Sequence, residues 1–132
     1  VAVYSEVARV LSPGGLYISQ HKQPTSLQSE ALPSVENGRY AIRERVDRAE
    51  PLPADAAGIH REPGAAEFVH RWERLVGGLC RSGFVVEDLL EPRCADASAA
   101  PGSFAHRALW LPPYVTIKAR RRLSQRVQTV IR

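Results

Sequence analysis

The sequence predicts an α/β fold, and three observations carry that prediction. A helical stripe over residues 1–11 leads through a Pro-Gly-Gly turn into a short apolar run, Leu16–Gln20. A stronger helical stripe over 65–82 ends at Gly83 and is followed at once by a second strand-like run, Phe84–Leu90. Tyr114–Arg120 then alternates apolar and polar residues strictly, the pattern of a strand with one buried face.

In chain order, Val3, Val7, Val10 and Leu11 fall on one face of the first helix. Ser12-Pro13-Gly14-Gly15 ends it, because Pro cannot continue a helix and Gly accepts the positive φ of a C-terminal turn. Leu16-Tyr17-Ile18 is continuously apolar, as in a strand buried on both faces. Residues 21–64 hold five prolines and three glycines and no strong period; Tyr40, Ile42 and Val46 alternate weakly, which allows a strand there. So long a stretch without a period reads as a lid or binding loop. Over 65–82, Phe68, Trp72, Leu75, Val76, Leu79 and Cys80 make one apolar face, with Arg71, Glu73, Arg74 and Arg81 opposite. Gly77 and Gly78 each weaken that helix by about 1 kcal/mol relative to Ala, which is tolerable if something packs closely there. Glu91-Pro92 halts the Phe84–Leu90 strand, and 93–113 is a connection rich in small residues and Pro. In the last strand Val115, Ile117 and Ala119 share the inner face; Leu123, Val127, Val130 and Ile131 follow as a short amphipathic segment.

The chain has 132 residues, which supports one domain rather than two, and its 44% hydrophobic and 24% charged residues are ordinary for a globular protein. No run approaches the roughly 18 apolar residues of a membrane span, and no secretory signal is visible at the start. The chain begins at Val1 and contains no Met, from which a piece of a longer product is expected. The net charge of +4 comes from Lys118, Arg120, Arg121, Arg122, Arg126 and Arg132; without them twelve basic residues face fourteen acidic ones. The basic character thus belongs to a tail, not to a groove, which argues against a nucleic-acid partner; such a tail reads as a solvated end, with an RNA or acidic-lipid contact as the sharper alternative. Cys80 and Cys94 make no C-x-x-C pair, and the cysteines read as reduced and the location as cytoplasmic. His21, His60, His70 and His106 are too scattered for a zinc signature, and Glu87, Asp88 and Glu91 read as solvated, so no metal is expected.

Three segments carry a family resemblance. Glu6-Val7-Ala8-Arg9-Val10-Leu11-Ser12-Pro13-Gly14-Gly15 resembles the segment before the fifth strand of class I S-adenosylmethionine-dependent methyltransferases. Leu75 through Phe84 resembles the "L-x-x-x-G-F" end of a later helix of that family. Val85-Val86-Glu87-Asp88-Leu89-Leu90-Glu91-Pro92 is similar to the sixth strand and its "E-P" exit in the branch related to quinone-biosynthesis methyltransferases. The resemblance implies the C-terminal part of a doubly wound Rossmann-like sheet, with residues 1–122 supplying three of seven strands. The last of them, Tyr114–Arg120, would run antiparallel between the other two. Residues 123–132 are then a basic tail and 21–64 a lid over a small or quinone-like methyl acceptor. S-adenosylmethionine would be the cofactor, held by the N-terminal half of the same domain, which is missing here. The family's glycine-rich turn after the first strand and its ribose-binding carboxylate have no counterpart in this sequence. Gly14-Gly15 follows a helix and enters a strand, the reverse of a nucleotide loop, so no cofactor-binding residue is assigned. The chain alone is therefore expected to be inactive. A non-catalytic binding module built on the same fold and a basic-tailed RNA-associated protein are the rival readings.

Ligands of open α/β sheets sit beyond the carboxyl ends of the parallel strands. Gln20, His21 and Lys22 leave the first strand at that end, and His21 is suited to act as a base or to orient a hydroxyl. Tyr40 is a candidate lining residue of the lid, with packing inside the lid as the plainer role. His60-Arg61 resembles a pair found before the penultimate helix of related methyltransferases, where it either caps that helix or faces the pocket. Trp72 is read as core.

Overall fold

A computed structural model describes residues 2–30, 40–42, 44–53 and 64–123. Two helices and three strands make its body. Helix α1 (Ala2–Val10) precedes strand β1 (Leu16–Lys22), and helix α3 (Trp72–Arg81) precedes strand β4 (Phe84–Leu90). Strand β5 (Tyr114–Arg121) comes last in sequence. Between β1 and α3 lie a short helix α2 (Pro24–Gln28) and two-residue strands β2 (Ser29–Glu30) and β3 (Ala41–Ile42). A single-turn helix α4 (Phe104–Arg107) stands before β5.

The main sheet has the order β1-β5-β4, with β5 antiparallel to both neighbours. Strands β1 and β4 therefore point the same way, and Lys22 and Leu90 lie at the same end. This is the α/β arrangement, with an antiparallel last strand, that the sequence predicts. The alternation in β5 decides which face is inside. Val115, Ile117 and Ala119 are fully buried. Tyr17 lies opposite Ala119, Ser19 opposite Ile117 and His21 opposite Val115, so these β1 residues share the inner face.

Both long helices pack on that face. The core joins Tyr4 of α1 and Leu75 and Leu79 of α3 to Phe84, Val115, Ile117 and Ala119 of the sheet, with Val7, Leu11, Tyr17, Trp72, Val76 and Val86 around it. Tyr17 sits between two rings, 6.3 Å from Tyr4 edge-on and 5.8 Å from Phe84. Of the two glycines of α3, Gly78 finds its reason here. Gly78 is buried, and a Cβ there would lie 3.0 Å from the Tyr4 ring, so the missing side chain lets α1 and α3 approach.

The opposite face is open. Leu16 and Ile18 are 41% and 59% exposed, and Val85 is exposed beside them on the same side of the sheet. The expectation that β1 is buried on both faces is thus met on one face only. On this side β4 carries a bulge between Val86 and Asp88. The bulged residue, Glu87, forms ion pairs with Lys118 (3.4 Å) and Arg120 of β5. It is therefore held by cations, which draw its carboxyl below the usual range through the Arg120 hydrogen bond first.

Several expectations need correction. The helix expected over 65–82 starts only at Trp72; residues 65–71 are neither helix nor strand, and Arg71 has extended backbone angles. Val69 is the cause. It is buried in a second small core with Leu27 and Leu52, and the Leu52 N–H donates to the Glu67 carbonyl at 2.7 Å. A helix through this stretch would break that backbone bond and turn Val69 away. Phe68 and Cys80, expected on the apolar face, are exposed. The Tyr40–Val46 alternation yields only β3, and Ile42 and Val46 are exposed, because no sheet face stands opposite them. Of the final apolar segment, Leu123 is exposed and Val127, Val130 and Ile131 lie outside the described residues.

Candidate functional site

The carboxyl ends of β1 and β4 and the start of β5 form one rim of the sheet. Alternation along β1 divides the residues expected there. His21 faces α1 and α3, whereas Gln20 points to the open face and is exposed. Lys22, at the strand end, forms an ion pair with Glu67 from the non-helical segment, and both side chains are largely buried. That pair ties the 64–71 segment to the end of β1.

Around His21 the chain leaves a cleft. A hollow of about 280 Å³ is lined by Val3 and Tyr4 of α1, Tyr17 and His21 of β1, His70, and Arg74 and Leu75 of α3. A recess of about 140 Å³ adjoins it, sharing His21, His70 and Leu75 and reaching Lys22, Leu27, Glu67 and Phe68. The His21 Nε2 is 2.9 Å from the Ser19 hydroxyl oxygen, a hydrogen bond that fixes the ring along the strand. Burial lowers the His21 pKa below the ordinary imidazole range, and the neighbouring His70 lowers it further. His70, although exposed, is lowered by partial desolvation at the cleft wall and then by the Arg74 guanidinium. Both imidazoles are consequently neutral at pH 7. The Tyr4 phenol is pushed up by burial and by Tyr17, so it stays a hydrogen-bond donor.

A second polar cluster stands on the β5 side of the rim. The Tyr40 hydroxyl and His106 Nδ1 are 2.6 Å apart. Next to His106, Arg107 is buried and its guanidinium donates to the carbonyls of Ser26 and of Ser29 (2.6 Å). It thereby satisfies carbonyls at the end of α2, which no helix partner reaches. Gln23, also buried, caps the other end of α2 by accepting from the Ser26 N–H at 2.8 Å. Tyr40 is therefore held within the 21–64 region and α4, apart from the residues lining the His21 cleft. His60 and Arg61 lie outside the described residues.

Larger hollows exist elsewhere with less chemistry. One of about 420 Å³ is bounded by the Glu44–Glu50 loop, four of whose charges are matched in Arg45–Asp47 and Arg48–Glu44 pairs. Another, about 600 Å³, lies at the amino end of the sheet among Val85, Glu87 and Arg120–Leu123. Among the described residues no group of three or more His, Cys, Asp or Glu side chains is placed to hold a metal ion. No described helix is long and apolar enough to cross a membrane.

The residues that complete the cleft, His70, Arg74 and Glu67, were not candidates in the sequence. His70 and Arg74 are four apart and read as neighbours on one helix, yet only Arg74 is helical. Their convergence on His21 depends on the non-helical 65–71 segment, which the helical spacing of Phe68, Trp72 and Leu75 concealed.

The glycines at the β1 start do not form a donor-binding cradle. Gly14 donates its N–H to the Arg121 carbonyl at 2.9 Å and takes φ of +79°, and a Cβ on Gly15 would collide with Leu11 and the Ser12 carbonyl. Both serve the tight passage from α1 into β1, at the amino end of the sheet and away from the cleft. Gly14 and Gly15 thus offer no cradle for the ribose and amino-acid portions of S-adenosylmethionine.

No protein-family model matches the chain, and a search of curated proteins finds no match either. Among solved structures, the chain is similar to the S-adenosylmethionine dependent methyltransferase from Mesorhizobium loti, with 26% sequence identity and a TM-score of 0.60. The match covers 91% of this chain and 54% of that one, so the chain spans about half the length of the structure it matches. The likeness supports a methyltransferase-type α/β fold.

Proposed function

We propose that this chain forms the C-terminal half of an S-adenosylmethionine-dependent methyltransferase domain and supplies its acceptor side. The observation that carries the reading is the sheet. The order β1-β5-β4, with the last strand central and antiparallel, runs through a chain that matches 54% of a solved methyltransferase over nearly its whole length. On this reading residues 1–122 are the half-domain, 123–132 a basic tail and 21–64 the lid. The methyl donor belongs to the other half, because the glycines here are taken up by the α1–β1 turn.

The donor, when bound, supplies an activated methyl group, so the protein's part is to position and desolvate the acceptor. His21, neutral and fixed by Ser19, is placed to accept a hydrogen bond from an acceptor hydroxyl. Lys22 holds the 64–71 segment against β1 and so shapes the cleft. Tyr40, His60 and Arg61 belong to the proposed lid, Gln20 faces away from the cleft and is given no part in it, and the acceptor is a small or quinone-like molecule. The location is cytoplasmic, with no nucleic-acid partner.

Calorimetry tests the division between halves. S-adenosylmethionine titrated into the 132-residue chain gives no heat of binding. A chimera in which this chain replaces the matched portion of the Mesorhizobium loti protein recovers binding. Micromolar affinity of the chain alone overturns the assignment of the donor to the other half.

A further inference from the structure

We infer that the cleft between α1, β1 and α3 is a binding site for a small aromatic carboxylate, gripped by Arg74, His21 and His70 and flanked by Tyr4 and Tyr17. The inference stands on this chain's own side chains and goes beyond methyl transfer, which its test does not use.

The lining of the 280 Å³ hollow is one-sided in charge. Its described lining residues supply a guanidinium, two imidazoles and two phenols, with no carboxylate among them. The nearest acid, Glu67 in the adjoining recess, is already neutralised by Lys22. No ion pair of Arg74 forms among the described residues. Three nitrogen bases thus converge without an anion between them, and each imidazole feels a neighbour that disfavours its charged form, His70 acting on His21 and Arg74 on His70. A bound anion reverses that sign, because an opposite charge within a few ångströms favours the protonated ring. The planar guanidinium matches a carboxylate in particular, with two parallel N–H donors.

The other half of the lining selects the rest of the ligand. Tyr4 and Tyr17 present rings nearly perpendicular to each other (73°), and Val3 and Leu75 complete an apolar wall. Pockets for drug-sized ligands begin at roughly 300 Å³, so this hollow suits a single ring. The groups facing the two imidazoles are Tyr4 from α1, Ser19, Tyr17 and Lys22 from β1, Glu67 from the non-helical segment and Arg74 from α3. The α-amino group of the chain also acts on His70, so it and Arg74 bring net positive charge, while Lys22 and Glu67 offset each other. Binding is therefore coupled to proton uptake and tightens as the solution is acidified.

The test follows the imidazole Cε1–H resonances of His21 and His70 by NMR in the 132-residue chain, with sodium benzoate as the probe and benzamide and sodium sulfate as controls. Benzoate raises the pKa of both histidines and binds several-fold more tightly near pH 5.5 than near pH 8, where both imidazoles are neutral. Arg74→Gln weakens benzoate by about tenfold, the usual size for a lost hydrogen bond to a charged group. Arg74 is exposed, so that variant keeps the fold, as dispersed amide resonances will show. His70→Asn, also at an exposed position, removes part of the pH dependence while Arg74 still binds. Unchanged histidine titrations in benzoate overturn the inference, as does equal binding of benzamide. Equal shifts by sulfate reduce the cleft to a generic cationic surface and overturn the aromatic class.

Discussion

Gly77 and Gly78 are adjacent in α3 and open to opposite effects of the same substitution. Gly→Ala in a helix interior gains about 0.8–1 kcal/mol from reduced backbone freedom. At Gly77 the added methyl meets only the Arg81 guanidinium, 2.9 Å away at the end of an exposed, flexible side chain that can swing aside. Gly77→Ala therefore stabilises the chain by nearly the full amount. At Gly78 the methyl meets two carbons of the Tyr4 ring at 3.0 Å. That ring is pinned against Tyr17 and cannot move without shifting α1. Overpacking of a filled core costs about 1–3 kcal/mol. Set against the helix gain, Gly78→Ala loses up to about 2 kcal/mol. Thermal unfolding followed by far-ultraviolet circular dichroism separates the two, at roughly 3–6 °C per kcal/mol for a domain of this size. In a Tyr4→Ala background the obstruction is gone and Gly78→Ala becomes stabilising, which gives a double-mutant cycle for the contact. If Gly78→Ala raises the melting temperature of the unmodified chain as much as Gly77→Ala does, the close approach of α1 and α3 is wrong.

Two further outcomes follow from the sheet and the cleft. Ile18→Lys places a charge on the exposed face of the edge strand β1, whose outer N–H and C=O groups invite pairing with other chains; sedimentation will show less self-association of the substituted chain. Because His21 and His70 are held below the ordinary imidazole range, the unfolded chain takes up protons first on acidification. Their contribution is full above about pH 6.5 and is lost as pH falls toward the lowered folded values, so the urea midpoint drops there; a double His21→Gln, His70→Gln chain whose midpoint falls just as steeply removes the cause.

What the sequence disclosed follows from how local each signal was. β5 was legible to within a residue because one of its faces is wholly buried, leaving Val115, Ile117 and Ala119 no alternative partners. The ends of α1 and α3 were legible because Pro13, Gly14 and Gly83 act through their own backbone. The non-helical 65–71 segment was not. Phe68, Val69 and Trp72 satisfy a helical period, and the preference for a second core with Leu27 and Leu52 arises from residues 17–42 positions away. The candidate site suffered the same way. His21 and Lys22 followed from the strand, whereas His70 and Glu67 reach them only through that segment. The α2 helix was hidden because it is one short turn, fixed by Gln23 at its start and by Arg107, brought in from far along the chain.

The central place of β5 also sets the order in which this molecule can assemble. Lys22 pairs with Tyr114 and Leu16 with Arg120, a separation on the order of a hundred residues, which places the sheet among slow, high-contact-order topologies. Neither β1 nor β4 touches the other; each waits for the strand made last. At translation rates of about 5–20 residues per second, β1 spends roughly 5–20 s without its partner as the chain leaves the ribosome. During that interval Leu16, Tyr17 and Ile18 are available to chaperones, and a product stalled short of Tyr114 lacks the strand that joins β1 to β4.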